Sequence, residues 1–336
     1  MTVVGPFGLS VRDQALEADV QAGLAAVEEG LLEATKSEVP FITEAAQHLV
    51  RAGGKRFRPL LVMLAAQFGD PYAPGVVPSA VVVELTHLAT LYHDDVMDEA
   101  EVRRGVDSAN TRWGNSVAVL TGDFLFARAS HTLADLGPEA VRVQAEAFER
   151  LVTGQILETA GPQDGRDPVE HYLDVLSGKT GSLVAVSCRF GAMMSGADET
   201  VVDVLTQYGE RLGVAFQLAD DVLDIASDSH ESGKTPGTDL REGIPTLPVL
   251  RLRERAERLG LAEDVALCEL LDSDLTDDAR HAEALAALRE HPALEQARRD
   301  TVRYAEDARA ALAPLADIGA KAALMELCDA VVHRAG

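Results

Sequence analysis

The sequence predicts an all-α protein, one large helical domain, and three observations carry that prediction. Apolar residues recur at three- and four-residue spacing through most of the chain, Pro and Gly fall between those segments, and no long β-branched alternation interrupts them. With 336 residues, 47% of them apolar, the chain can bury a sizeable core.

The first periodic segment runs from Leu16 to Leu32. After it, Gly53-Gly54-Lys55-Arg56-Phe57-Arg58-Pro59 offers a flexible turn with three cations, and Pro59 suits the opening of a helix. Such a turn can hold a diphosphate through Lys55 and the planar fork of Arg58, or it can be merely a basic loop. Val76 to Asp98, Val117 to Leu136 and Val201 to Asp224 are long and mostly apolar, as expected of helices surrounded by others in a bundle. Pro71/Pro74, Gly137-Pro138, Gly161-Pro162 and the stretch from Ser232 to Pro248 punctuate the chain, and 225–245 reads as a mobile loop able to close over a ligand. Beyond Arg251, Ala, Leu, Arg and Glu predominate, which predicts amphipathic outer helices with no linker composition; residues 1–336 read as a single domain without short-period repeats.

The formal charge of -25, from 30 basic and 55 acidic residues, argues against a protein devoted to gripping nucleic acid or anionic lipid. Cys188, Cys268 and Cys328 lack metal-ligand spacing and are odd in number, which fits a reducing cytoplasm. The start, Met1 to Pro6, lacks a basic segment followed by an apolar run, and the longest apolar stretches are broken by Glu84, His87 or Arg189. A soluble, cytoplasmic chain is the expectation.

Asp94-Asp95-Val96-Met97-Asp98 and Asp220-Asp221-Val222-Leu223-Asp224 share one pattern, each at the C-terminal end of an apolar run. On a helix, the first and last aspartates of each cluster lie one turn apart on one face, where like charges repel and the macrodipole is already negative. Magnesium is the natural compensator, because it takes oxygen ligands and shares them with substrate phosphates. An acidic, solvated helix end would explain one such cluster; two, opposed across a bundle, would make a cation-binding mouth on an apolar interior. Arg103-Arg104-Gly105 follows the first cluster, either to meet phosphate or to balance charge. His87 lies two helical turns before Asp94, where it can donate to a phosphate oxygen or serve as a core histidine. Lys179-Thr180, Gln217, one turn before Asp221, and Lys234 complete the polar set.

In this order the motifs resemble the all-trans polyprenyl diphosphate synthases. The resemblance implies antiparallel helices around a central apolar cavity, a homodimer, and about three magnesium ions with substrate bound. It places Lys55, Arg58, His87 and Arg104 on isopentenyl diphosphate, and Arg103, Lys179, Thr180, Gln217 and Lys234 on an allylic diphosphate. Asp94, Asp98 and Asp220, helped by Asp95, Asp221 and Asp224, would hold the metal. Asp94, Asp98, Asp220, Lys179 and Arg103 form the catalytic set. The family pattern often carries a second Lys after the glycine of the downstream loop, whereas here Gly243 is followed by Ile244. A class I terpene cyclase, a shorter-chain synthase and a noncatalytic partner subunit are the competing readings; the second aspartate cluster and the Lys55, Arg58 and His87 set favour chain elongation.

A growing chain would run from the metals along an apolar channel, so side chains upstream of Asp94 act as its floor. Ala89, Thr90, Thr86 and Val82 are modest in volume, which predicts a long product of roughly seven to ten isoprene units, the kind used as a quinone side chain. Phe124, Phe126, Phe148 or Met193 from other helices can supply a floor instead. Release of so apolar a product suggests transient membrane contact.

Overall fold

The computed structural model describes residues 13–163, 165–226 and 236–335. Its helices are α1 (Gln14–Ala34), α2 (Pro40–Arg51), α3 (Phe57–Ala66), α4 (Val76–Met97), α5 (Ala109–Trp113), α6 (Asn115–Leu136), α7 (Pro138–Ala160) and α8 (Pro168–Leu176). They continue as α9 (Ser182–Met194), α10 (Glu199–Ala226), α11 (Thr238–Arg241), α12 (Leu247–Leu259), α13 (Ala262–Leu271), α14 (Asp278–Glu290), α15 (Pro292–Ala311) and α16 (Gly319–Ala335). A π-helical turn, Ser177–Gly181, joins α8 to α9. The fold is all-α, and the four predicted segments lie in α1, α4, α6 and α10.

One element was not anticipated. A hairpin of β1 (Val102–Arg103) and β2 (Val106–Asp107) follows α4, with Arg103 opposite Val106. Strands of two residues have nothing to alternate. The local signal is the connecting pair Arg104-Gly105, whose φ angles of 55° and 77° suit the left-handed turn that a tight hairpin requires.

Contacts gather the chain into two compact units. The first takes the chain up to Glu149 with Leu183–Gly209 and Ala311–Glu326; the second takes Arg150–Ser182, Glu210–Ala310 and the chain from Leu327 onward. Helices α7 and α10 therefore each contribute residues to both.

In the first unit α4 is the central element, with α1, α3, α5 and α6 against it. It is apolar on every side, and Val76, Ala80, Val82, Val83, Leu85, Leu88 and Ala89 are fully buried. Each such Val or Leu contributes about 1.5–3 kcal/mol. Polar atoms on this helix are satisfied locally: Ser79 donates to Val76 O at 2.8 Å and Thr86 to Val82 O at 2.9 Å. Tyr92 donates to Ala45 O at 2.6 Å and accepts from Leu49 N at 3.3 Å, fixing α4 to α2. Helix α6 comes close because Gly122 lacks a side chain; a Cβ there would stand 3.1 Å from Ala89 O and only 2.2 Å from His93 Nε2.

In the second unit α8 and α13 pack on α12, and α14 packs on α11 and α13. Asp167 caps α8 through Glu170 N at 2.9 Å, with Pro168 next, and Asp277 caps α14 through Ala279 N and Arg280 N. Two buried carboxylates are tolerated here because both are paired. Asp264 lies between Arg255 at 2.9 Å and His291 at 3.0 Å, and Asp300 meets Arg251 at 2.7 Å. Among the described residues, no helix is long and apolar enough to cross a membrane.

Candidate active site

In the first unit the glycine-basic turn and the hairpin bring four arginines together around α4. Arg56 adopts a left-handed φ of 47° and turns its side chain inward, where it pairs with Glu28 of α1, with Glu84 of α4 at 3.0 Å, and with Val50 O at 3.0 Å. Arg104, at the hairpin tip, donates to Leu49 O at 3.1 Å and to Gly53 O, and stands 3.7 Å from Glu84. Glu84, only 1% exposed, is thus shared by two guanidinium groups. Arg103 Nε donates to Asp95 Oδ1 at 2.6 Å.

This leaves a local excess of positive charge in an acidic protein. Burial lowers the Arg58 guanidinium to about 10, with Glu84 opposing the shift and Arg104 adding to it. Arg58 Nε is buried with no hydrogen-bond partner among the described residues, an N–H edge that calls for an acceptor. His87 is held well below the usual imidazole range, first by burial and then by the charges of Arg58, Arg104, Arg103 and Arg56. It is therefore a neutral ring with one N–H to give. Lys55 is exposed at the rim of the turn.

The first acidic cluster closes α4. Asp94 is half-buried, Asp95 buried and Asp98 exposed, and Asp98 N donates to Asp94 O at 2.8 Å. Burial raises the Asp95 carboxyl, the Arg103 contact works against that rise, and Asp95 Oδ2 has no hydrogen-bond partner among the described residues. Val82, Thr86 and Ala89 are buried along the same helix, with Thr90 half-buried.

In the second unit, the acidic cluster occupies the last turns of α10 and its members differ in their commitments. Asp221 is buried and accepts from the Tyr172 hydroxyl at Oδ2 and from Gln217 Nε2 at Oδ1, the latter at 3.1 Å. Burial lifts it to about 7; the Tyr172 bond opposes this and Asp239 adds to it. Gln217 Oε1 accepts from Thr180 Oγ1 at 3.4 Å, so Tyr172, Asp221, Gln217 and Thr180 form one chain. Asp224 accepts from the backbone N–H groups of Thr238 and Asp239, both at 3.3 Å. Asp220 is half-buried.

Lys179 and Thr180 sit on the π turn, a local widening that recurs at functional sites. Two glycines allow α7 to meet it: a Cβ on Gly154 would lie 2.6 Å from Lys179 N, and one on Gly178 would lie 2.9 Å from Arg150 O. Lys179 Nζ pairs with Glu158 Oε2 at 2.6 Å. Of the expected loop 225–245, Ile225 and Ala226 end α10 and α11 lies within it, while 227–235, and with them Lys234, lie outside the described residues. Ile244 is exposed. Among the described residues, no three His, Cys, Asp or Glu side chains are already gathered at metal-binding separation.

The family model described as polyprenyl synthetase matches residues 39–288, from α2 into α14. This chain belongs to the polyprenyl synthetase family. It is 47% identical over 331 residues to the nonaprenyl diphosphate synthase of Mycobacterium tuberculosis, covering 98% of this chain and 97% of that one. A geranylgeranyl pyrophosphate synthase from Corynebacterium glutamicum, solved with calcium and isoprenyl diphosphate, matches with a TM-score of 0.87 at 44% identity, over 97% of this chain and 99% of that one. A decaprenyl diphosphate synthase from Rhodobacter capsulatus matches with a TM-score of 0.85 at 36% identity, over 96% and 99%.

Within this polyprenyl synthetase chain, two further residues, Glu84 and Tyr172, hold the polar groups in place. Glu84 interrupts an apolar helix, and that isolated charge was the signal for a buried partner. Tyr172 gave no signal, since Asp221 lies 49 positions away.

Proposed function

We propose that the chain is a magnesium-dependent trans-prenyltransferase that adds isopentenyl diphosphate to an allylic diphosphate in successive head-to-tail steps, giving a product of roughly seven to ten isoprene units. One observation carries the reading: Arg58, on α3, presents a buried Nε with no hydrogen-bond partner among the described residues, amid cations that outnumber their carboxylates and close to a neutral His87 on α4, the helix that ends at the first aspartate cluster. That is an anion site built next to an acidic platform. The high identity to a nonaprenyl synthase supports the long product.

Arg58, Arg104 and Lys55 would hold the diphosphate of the isopentenyl substrate, with His87 giving one N–H. Arg103, Lys179, Thr180, Gln217 and Lys234 would face the allylic diphosphate. Arg103 and Lys179, paired with Asp95 and Glu158 in this structure, would first leave those partners for the stronger anion. The acidic residues fit magnesium: the donors are all carboxylates, and Asp95 offers a buried oxygen without a hydrogen-bond partner among the described residues. Asp94, Asp98 and Asp220 would be direct ligands, with Asp95 beside them, while Asp221 and Asp224 act by holding Gln217 and the backbone at 238–239.

Bound magnesium would neutralise the allylic diphosphate as its C–O bond breaks. The arginines and Lys179 supply preorganised positive charge for the same developing anion, commonly the greatest single contribution to catalysis of this kind. The isopentenyl double bond then forms the new C–C bond, and the proton lost from the adjacent carbon goes to the released diphosphate.

A homodimer in the cytoplasm, with transient membrane contact during release, completes the reading. Leu120, 66% exposed on α6 beside exposed Val119, supports a subunit contact on that helix.

The deciding experiment incubates the pure chain with magnesium, isopentenyl diphosphate and geranyl, farnesyl or geranylgeranyl diphosphate in turn, then sizes the dephosphorylated products. Elongation is expected, and Asp94→Ala or Asp220→Ala should slow it by about a thousandfold with the helical circular dichroism unchanged. Cyclised hydrocarbons, or near-wild-type turnover by either variant, would overturn the assignment.

A further inference from the structure

The α4 wall assigned to the growing chain meets, within the first unit, a polar residue that volume alone does not reveal. Gln144 of α7 is 6% exposed, and its Nε2 donates to Thr86 Oγ1 at 2.9 Å in a buried contact. The Thr86 hydroxyl proton is already given to Val82 O at 2.9 Å, so the hydroxyl meets the amide as an acceptor. Gln144 Oε1 is buried with no hydrogen-bond partner among the described residues.

A buried amide carbonyl without a donor is an exception that asks for an explanation, because a leucine would fill similar space with no polar atom to satisfy. Nearer the acidic end, the neighbours are aromatic. Phe148, one turn beyond Gln144 on α7, packs on Phe126 of α6 with ring centroids 4.5 Å apart, and Phe126 lies 5.8 Å from the ring of His93. Following α4 away from Asp94, the wall therefore passes His93 with its aromatic pair, then small Ala89, and then the Thr86 and Gln144 pair.

We infer that Gln144 sets the product length of this enzyme, acting with Thr86 as a hinged polar plug across the apolar channel. The inference rests on the chain-elongation reading and deepens it. A short product ends against the carboxamide. A longer one must turn it aside, which breaks a single hydrogen bond: Thr86 keeps its bond to Val82, and the Gln144 carbonyl has no bond to lose. A fixed aromatic floor would stop every chain at one length, whereas a plug held at one end yields to a chain that gains enough apolar contact beyond it.

The test is product sizing by reversed-phase chromatography with Gln144→Ala, Gln144→Trp and Thr86→Val, each checked for folding by circular dichroism. Gln144→Ala and Thr86→Val should move the most abundant product at least one isoprene unit longer, and Gln144→Trp at least one unit shorter. Should Gln144→Ala fail to fold, Thr86→Val, which keeps the shape but removes the acceptor, decides the matter. Folded variants that all give the wild-type distribution would overturn the plug while leaving elongation intact. A wild-type chain that adds no unit to any primer would overturn both.

Discussion

Glu84 is the residue on which the charge balance of the arginine cluster rests. It sits inside α4 between Arg56 and Arg104, and its removal leaves two guanidinium groups buried with less countercharge. Glu84→Gln should cost about 3–5 kcal/mol, read as a lower urea midpoint at constant slope. His87 has a pH signature whose sign follows from its lowered value. Below an unfolded pKa of about 6.5 the unfolded ring takes a proton that the folded ring refuses, so stability falls as pH drops from there towards the folded value. The melting temperature of wild type should therefore decline more steeply between about pH 6.5 and pH 5 than that of His87→Phe. Tyr172 anchors the other polar chain; Tyr172→Phe should lower kcat/KM for the allylic substrate about tenfold while leaving KM for isopentenyl diphosphate near wild type. The residue types of the site were legible in the sequence because charge clusters stand out against apolar helices. Which cations face inward was not, since Arg56 and Arg58 differ only in the backbone turn that points Arg56 at Glu28 and Glu84.

Among the elements, α4, α6 and α10 could be read directly, because helices surrounded by others are apolar on most faces and long enough to exclude strands. The hairpin and the π turn could not. A two-residue strand carries no period, and the π turn reflects glycines on separate elements, Gly154 and Gly178, that meet only after folding. This close meeting gives the element-scale prediction. Gly154→Ala would place a methyl group 2.6 Å from Lys179 N, so the turn must shift. Turnover should fall about tenfold or more, with the loss concentrated in the allylic half of the reaction, as initial rates against each substrate would reveal. A substitution on the outward side of α7, such as Glu146→Ala, should leave those rates unaltered.

At the scale of the molecule, each compact unit draws on separated stretches of sequence, and α7 and α10 belong partly to each. We propose that the chain unfolds as one cooperative domain, so denaturant curves from circular dichroism and from Trp113 fluorescence should coincide. The proposed homodimer predicts that Leu120→Asp, on the exposed face of α6, halves the mass seen by light scattering without changing helix content. The two ends of α10's exit are joined at a single side chain. Asp224 receives Gly237 N on its backbone oxygen at 2.8 Å and the next two N–H groups on its carboxylate, so the segment leaving α10 begins and ends at one residue. One carboxylate thereby hands the position of α10 on to α11, and a side chain without those two oxygens, as in Asp224→Ala, would release Thr238 and Asp239 from the end of α10.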